Sequence, residues 1–204
     1  MSKNIAKEPT KKQQTKQRIL DAASQSFRTH GYAGIGVDGI AKAAEVTSGA
    51  FYSHFGSKDG AFSAALDAGL DEVIAAVPDF QQNDGDKWVE SFADYYLGKA
   101  HRDDLAKGCA MTTLSPEVVR AIPEFRALYE KKMKKIVDII AIGLEGDSIE
   151  ERQARAWAML GILIGGLTLS RAVKNKKVAN EIANSIKHSA VNVAGKVKIT
   201  KNKK

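Results

Sequence analysis

Cysteine is nearly missing from this sequence: Cys109 stands alone among 204 residues. One cysteine forms no internal disulfide and no structural zinc site, which excludes a disulfide-stapled secreted scaffold and a zinc finger. Proline is also scarce, at four residues, and runs of β-branched residues are few, while Ala, Lys and Leu are common. That balance favours helices over strands. No long apolar run is present. The greasiest window, Ala156 to Leu169, falls short of the roughly 18 to 20 residues that cross a bilayer and is interrupted by Gly161, Gly165 and Gly166. The opening stretch, MSKNIAKEPTKKQQTKQR, has no apolar segment of the kind a secretory signal needs. A reducing, cytoplasmic setting without membrane association is expected. No Ser/His/Asp, paired-carboxylate or metal-ligand constellation is visible, and neither His30 nor His54 has ligand partners at suitable spacing. An enzyme, a bound metal and a cofactor are therefore not expected.

What is present is enough apolar residue, 44%, to bury a core, and an excess of positive charge, 31 Lys+Arg against 24 Asp+Glu. The excess is concentrated. Lys3, Lys7, Lys11, Lys12, Lys16 and Arg18 meet only Glu8 in the first twenty residues, and the end of the chain carries Lys196, Lys198, Lys201, Lys203 and Lys204. A basic arm ahead of a helix suits a phosphate backbone, because neutralising phosphates releases counterions. A solvated tail has the same composition.

The first sixty residues carry a clear helical period. Ile19, Ala22, Ala23 and Phe27 recur at helix spacing from Thr15 to His30, with Gly31 where a C-terminal cap belongs. Val37, Ile40, Ala41 and Ala44 predict a second helix of about two turns. After Glu45-Val46-Thr47, a third short helix is expected from Ser48, as N-cap, to His54, with Phe51 and Phe55 on one face. Two short helices across a three-residue turn match a helix-turn-helix, whose second helix enters the major groove. Periodicity alone is equally satisfied by an ordinary three-helix bundle.

The segment Gln17 to Leu66, with ILDAA-x3-F, GY after the first helix, V-x-x-I-A-x-A-A and SGAFYSHFGSKD, resembles the DNA-binding domain of the TetR (tetracycline repressor-like) family of bacterial transcriptional regulators. The resemblance implies an all-α fold: a three-helix helix-turn-helix domain followed by a larger helical domain for ligand binding and dimerisation. It also implies roles. Tyr52, His54 and Lys58 would contact phosphates, Thr47, Ser48, Gly49, Ala50 and Ser53 would reach bases or the groove edge, and Thr15 and Lys16 would hold the flanking backbone. Gly36 and Val37 head the second helix at the DNA surface, and Gly36 stands where many family members have a phosphate-touching Thr. Glu45 replaces a frequent Gly, at a cost on the order of 1 kcal/mol if its φ is positive, and is expected to face solvent away from the groove.

Beyond Ser57 the expected helices run to Val77, where Pro78 stops the first of them, then Lys87 to Ala100, Pro116 to Ile122 behind a Ser115 cap, Pro123 to Leu144, Ile149 to Val173 behind a Ser148 capping box, and Lys177 to Val193. The polar stretch from Pro78 to Asp86 reads as a loop. The organisation expected is a disordered basic arm over 1–14, the helix-turn-helix over 15–56, a connecting helix over 57–77, the ligand and dimer domain over 78–195, and a basic tail over 196–204. Trp88, Phe92, Tyr95, Tyr96, Cys109, Met111, Phe125, Tyr129, Met133 and Trp157 are the candidate lining of a cavity for a small hydrophobic or aromatic effector, though such stripes also build cores. Cys109, at a helix start where N–H groups lower a thiol pKa, is a candidate sensor of electrophiles. A buried small hydrophobe is the alternative. The family resemblance implies that the last two helices pair with those of a second copy, and Gly161, Leu163, Gly165, Ile182, Ile186 and Val193 are the candidate interface. A homodimer places two recognition helices about one DNA turn, ~34 to 36 Å, apart and demands a palindromic operator. The function expected is a ligand-responsive repressor of transcription. A helical interaction or small-molecule-binding protein without DNA binding is the alternative, as is a repressor acting through Cys109.

Overall fold

A computed structural model describes residues 8–198. Residues 1–7 and 199–204, which hold the start of the basic arm and most of the basic tail, lie outside it. The described residues form ten α-helices: α1 (Lys11–His30), α2 (Val37–Ala43), α3 (Ser48–Phe55), α4 (Lys58–Asn83), α5 (Trp88–Tyr96), α6 (Lys99–Asp103), α7 (Ala110–Arg120), α8 (Pro123–Ile142), α9 (Ile149–Ala172) and α10 (Lys176–Ala194). A 3-10 turn at Gly85–Lys87 precedes α5. Among the described residues there is no strand, only an isolated antiparallel bridge between Leu144 and Val197, and no helix long and apolar enough to cross a membrane.

Helix α1 starts four residues earlier than its apolar period suggests. Thr10 accepts from the Gln13 N–H at 3.3 Å while the Gln13 side chain accepts from the Thr10 N–H at 2.8 Å, a reciprocal cap that draws Lys11 and Lys12 into the helix. The expectation of a disordered arm up to residue 14 is corrected accordingly. At the other end Gly31 adopts φ 72° and returns its N–H to Phe27, as a glycine past a C-terminus does.

Between α2 and α3, Val46 N–H reaches Ala41 O at 3.0 Å and Glu45 N–H reaches Lys42 O at 3.1 Å. This is a Schellman turn, with Glu45 at φ 55° in the place glycine usually takes. The cap of α3 is Thr47, not Ser48: the Thr47 hydroxyl accepts from Ala50 N–H at 3.1 Å. Ser48, one residue further in, donates to Asp38 Oδ1 at 2.6 Å and so ties α3 to α2.

Ser57 caps α4 as its sequence suggests, accepting from Gly60 N–H. Pro78, however, does not end it. A mid-helix proline forfeits one backbone bond, but beyond it Phe80 packs on Phe92 and Tyr95 with centroids 5.5 and 5.6 Å away, and Gln81 Nε2 donates to Ile139 O at 2.9 Å. This packing carries α4 to Asn83, about 39 Å in all, and the loop expected at Pro78 to Asp86 shrinks to the residues around Gly85. Ser115-Pro116 likewise lies inside α7, which begins at Ala110. Ser115 donates back to the Met111 carbonyl and shares a 2.6 Å hydrogen bond with Tyr129, and Pro116 sits on the exposed side. The helix expected over Lys87 to Ala100 breaks after Tyr96, and Gly98 starts α6.

Helix α4 is the shared wall of the two halves. Its first turns pack on α1 and α3, and its later turns on α5, α7 and α8. Lys132 of α8 clamps it by bonding Asp67 and Asp71, both at 2.7 Å. Helices α9 and α10 pack along each other, and Gly166 makes this possible: a Cβ there would lie 2.8 Å from Ile186 Cβ. Lys187 pins α10 to α5 through Glu90 at 3.1 Å and Asp94 at 2.7 Å.

Candidate nucleic-acid interface and ligand cavity

Helix α3 divides cleanly. Phe51 is fully buried and Phe55 half-buried, both in the core with Ile19, Phe27 and Ile40. Gly49, Tyr52 and Ser53, spaced i, i+3 and i+4, all point outward, with Tyr52 51% exposed. An aromatic held half in water, beside a bare glycine and a hydroxyl, does nothing for the core. Ala50 and His54 flank this stripe on one side and Ser48 on the other, where its proton is committed to Asp38.

The cations around α3 are placed by aromatic rings. Lys16 Nζ stands 6.0 Å from the Phe55 centroid and Lys58 Nζ 4.3 Å from that of Tyr32, favourable positions over a ring face. Tyr32 is itself fixed by donating to Asp59, and burial followed by the Asp59 carboxylate pushes its phenol up to about 12, so the donor persists at any physiological pH. Lys16 and Thr15 lie within α1 rather than at its head. Gly36 is the N-cap of α2 without a side-chain bond, and a Cβ there would meet nothing within 4 Å, while Val37 is half-buried behind it.

A second feature lies where α4, α5 and the segment before α7 converge. A pocket of about 60 Å³, open to solvent on one side, is lined by Gly69, Glu72, Val73 and Ala76 of α4, Phe92, Tyr95 and Tyr96 of α5, His101 of α6, and Lys107, Gly108 and Cys109. Tyr96 shares a 2.7 Å hydrogen bond with Thr112, and His101 donates from Nδ1 to Tyr95 O at 2.9 Å. Burial lowers the His101 pKa, leaving a neutral ring, and raises that of the Cys109 thiol. Cys109 does occupy the N-cap of α7, but desolvation outweighs the N–H groups, which removes the ground for a low-pKa sensor.

Of the ten candidate cavity residues, Phe92, Tyr95, Tyr96 and Cys109 meet at this space. Met111 and Met133 are core, and Trp88 is fully buried with Nε1 donating to Gly143 O at 3.3 Å. Phe125 packs on Phe62 with ring centroids 5.1 Å apart and Tyr129 is held by Ser115. Trp157 is corrected outright: it is 45% exposed on the outer face of α9. His101 and the individual α4 residues went unnamed, because a cavity wall drawn from several elements has no period in one stretch of sequence.

The family model described as "Bacterial regulatory proteins, tetR family" matches residues 19–65, the stretch from α1 into α4. Over these residues the chain carries a DNA-binding domain of the TetR type. Among curated relatives it is 32% identical over 82 residues, 40% of this chain and 42% of the relative, to the HTH-type transcriptional repressor SCO4008 of Streptomyces coelicolor, so this match spans less than half of that protein. It is 24% identical over 134 residues, 64% of this chain and 67% of the relative, to the HTH-type transcriptional repressor NemR of Escherichia coli. The fold agrees over nearly the whole length. A TetR-family regulator from Cytophaga hutchinsonii aligns with a TM-score of 0.73 at 21% identity, covering 96% of this chain and all of that one. Reduced E. coli NemR aligns at 0.72 and 17% identity over 92% and 99%.

In a DNA-binding domain of this type, the bare N-cap at Gly36 is a gap that can be filled. Gly36 has φ −93° and ψ 168°, which threonine adopts freely. Gly36→Thr is expected to stabilise by a few tenths of a kcal/mol through capping, and to tighten DNA binding severalfold by adding a phosphate donor; thermal unfolding and fluorescence anisotropy on a selected DNA site would check both.

The outer face of α9 and α10 is the remaining candidate surface. Gly161 and Gly165 face open space, and Leu169, Trp157 and Val178 are exposed nearby at 56, 45 and 38%. Ile182 and Val193 are half-buried. Leu163 is corrected, since it is fully buried in the chain's own core, and Ile186 is used within the chain against Gly166.

Proposed function

We propose that this chain is a homodimeric repressor of transcription that binds a palindromic operator through α3 and is released by a small effector in the cavity beside α4. The observation that carries the reading is the outward stripe of Gly49, Tyr52 and Ser53, flanked by ring-supported Lys16 and Lys58. Tyr52, His54 and Lys58 position the protein on phosphates, and Gly49, Ala50 and Ser53 let base edges approach. Ser48 and Thr47 contribute through the oxygen lone pairs their structural bonds leave free. The repressor names of the relatives, and an apolar outer face on α9 and α10 that a second copy would cover, support the same reading. The effector acts only through different affinities for two arrangements of the dimer.

Selection from a random double-stranded DNA pool tests this. The expected outcome is enrichment of a palindrome with half-sites about one helical turn apart, bound with an affinity that falls steeply with salt. Enrichment of no palindrome overturns it.

A further inference from the structure

Arg28 belongs to α1, yet its side chain leaves the DNA-binding half and packs on Gly69 and Glu72 of α4, two of the residues that line the cavity. It is only 7% exposed, and its Nη2 meets Glu72 Oε2 of α4 at 3.1 Å. Gly69 makes room for it: a Cβ there would stand 2.8 Å from Arg28 Nη2. The pairing is lopsided, because Glu72 is 64% exposed and satisfies one edge of the guanidinium, while the buried Arg28 Nε has no partner among the described residues. A buried donor left unsatisfied costs roughly 1–3 kcal/mol.

Further positive charge surrounds the cavity. Lys107 lines it, and Arg171 stands behind the lining, packed on Gly108 with its Nε donating to His101 O at 2.9 Å. Glu72 is the one acid among the lining residues, and it sits on the water side. The opposite wall is aromatic, from Phe92, Tyr95 and Tyr96.

We propose that the cavity takes a small monocarboxylate with an apolar or aromatic body, whose carboxylate displaces Glu72 from Arg28. The guanidinium fork matches a carboxylate in two-point geometry, and the aromatic rings of the lining suit an apolar body behind that head, which a phosphate dianion lacks. Displacement transfers Arg28, and α1 with it, from a clamp on α4 to a bond with the ligand. The inference rests on the regulator reading for its consequence at DNA, but not for the binding itself.

Calorimetry with acetate, butyrate and benzoate, each beside its primary amide and beside inorganic phosphate, is the test. At least one carboxylate is expected to bind about tenfold or more tightly than its amide and than phosphate, the scale of one charge-assisted bond. Glu72→Gln, a change at an exposed side chain, should tighten that binding severalfold by removing the competitor, and Arg28→Lys should weaken it about tenfold by removing the fork. Binding by none of the acids, equal binding of acid and amide or of phosphate, or an unchanged affinity in Glu72→Gln overturns the proposal. Coupling is read separately: the bound acid should weaken wild-type binding to the selected operator and not that of Arg28→Lys. A failed DNA selection would sink the regulator reading and leave the calorimetry standing, whereas a successful selection with no acid binding would do the reverse.

Discussion

Truncating Phe62 to alanine should lower the unfolding free energy by about 3–5 kcal/mol, the range for removing a buried aromatic ring. Its ring is 1% exposed and joins three helices: the centroid lies 5.2 Å from Phe27 of α1 and 5.1 Å from Phe125 of α8, with Phe62 itself on α4. No local collapse can fill the hole, since its neighbours are anchored on separate helices. The same ring supports Tyr32 at 5.2 Å, and Tyr32 supports Lys58. DNA affinity should therefore fall as well, in the folded fraction, and a denaturant melt followed by binding at a temperature where the variant is folded separates the two effects. A loss below about 1.5 kcal/mol, well under the range for such truncations, would mean that the two halves do not share this core.

The cavity depends on the same continuity. Arg28 and Glu72 are separated by 44 positions, Lys132 by more than 60 from the acids it clamps, and neither pair is marked by any local pattern. What was legible in the sequence was local. The apolar period and caps placed α2, α3, α8, α9 and α10 to within about two residues but missed the first turn of α1, and the family motif marked the outward face of α3. Proline was misleading twice. At Pro78 and Pro116 the rule that proline ends or begins a helix was outweighed by contacts on either side, through Phe80 and Gln81 in one case and Ser115 with Tyr129 in the other. Glu45, where the family pattern often has Gly, does take the positive φ whose cost the sequence raised as a condition. The aromatic stripe was less informative: Trp88 and Trp157 have the same chemistry, and only the packing of α5 inside and α9 outside separates their fates.

The outer face of α9 can be tested without disturbing the chain that carries it. A Cβ at Gly161 or Gly165 meets nothing within 4 Å, and replacing glycine within a helix removes a cost of up to about 1 kcal/mol each. The double variant Gly161→Arg, Gly165→Arg should therefore unfold no more easily than the wild-type protomer. If a second copy covers this face, two arginines per copy meet across the twofold axis, and like charges without partners cannot be buried there. Light scattering should show a monomer in place of a dimer, and affinity for the selected palindrome should fall by 100-fold or more, on the order of the avidity lost when two linked half-site contacts become one. Gly166→Ala supplies the contrast. Its Cβ would press on Ile186 of the same chain, so it should lower stability first, with any loss of dimer following from unfolding. A double arginine variant that stays dimeric would place the interface elsewhere, leaving Trp157, Leu169 and Val178 exposed for another reason.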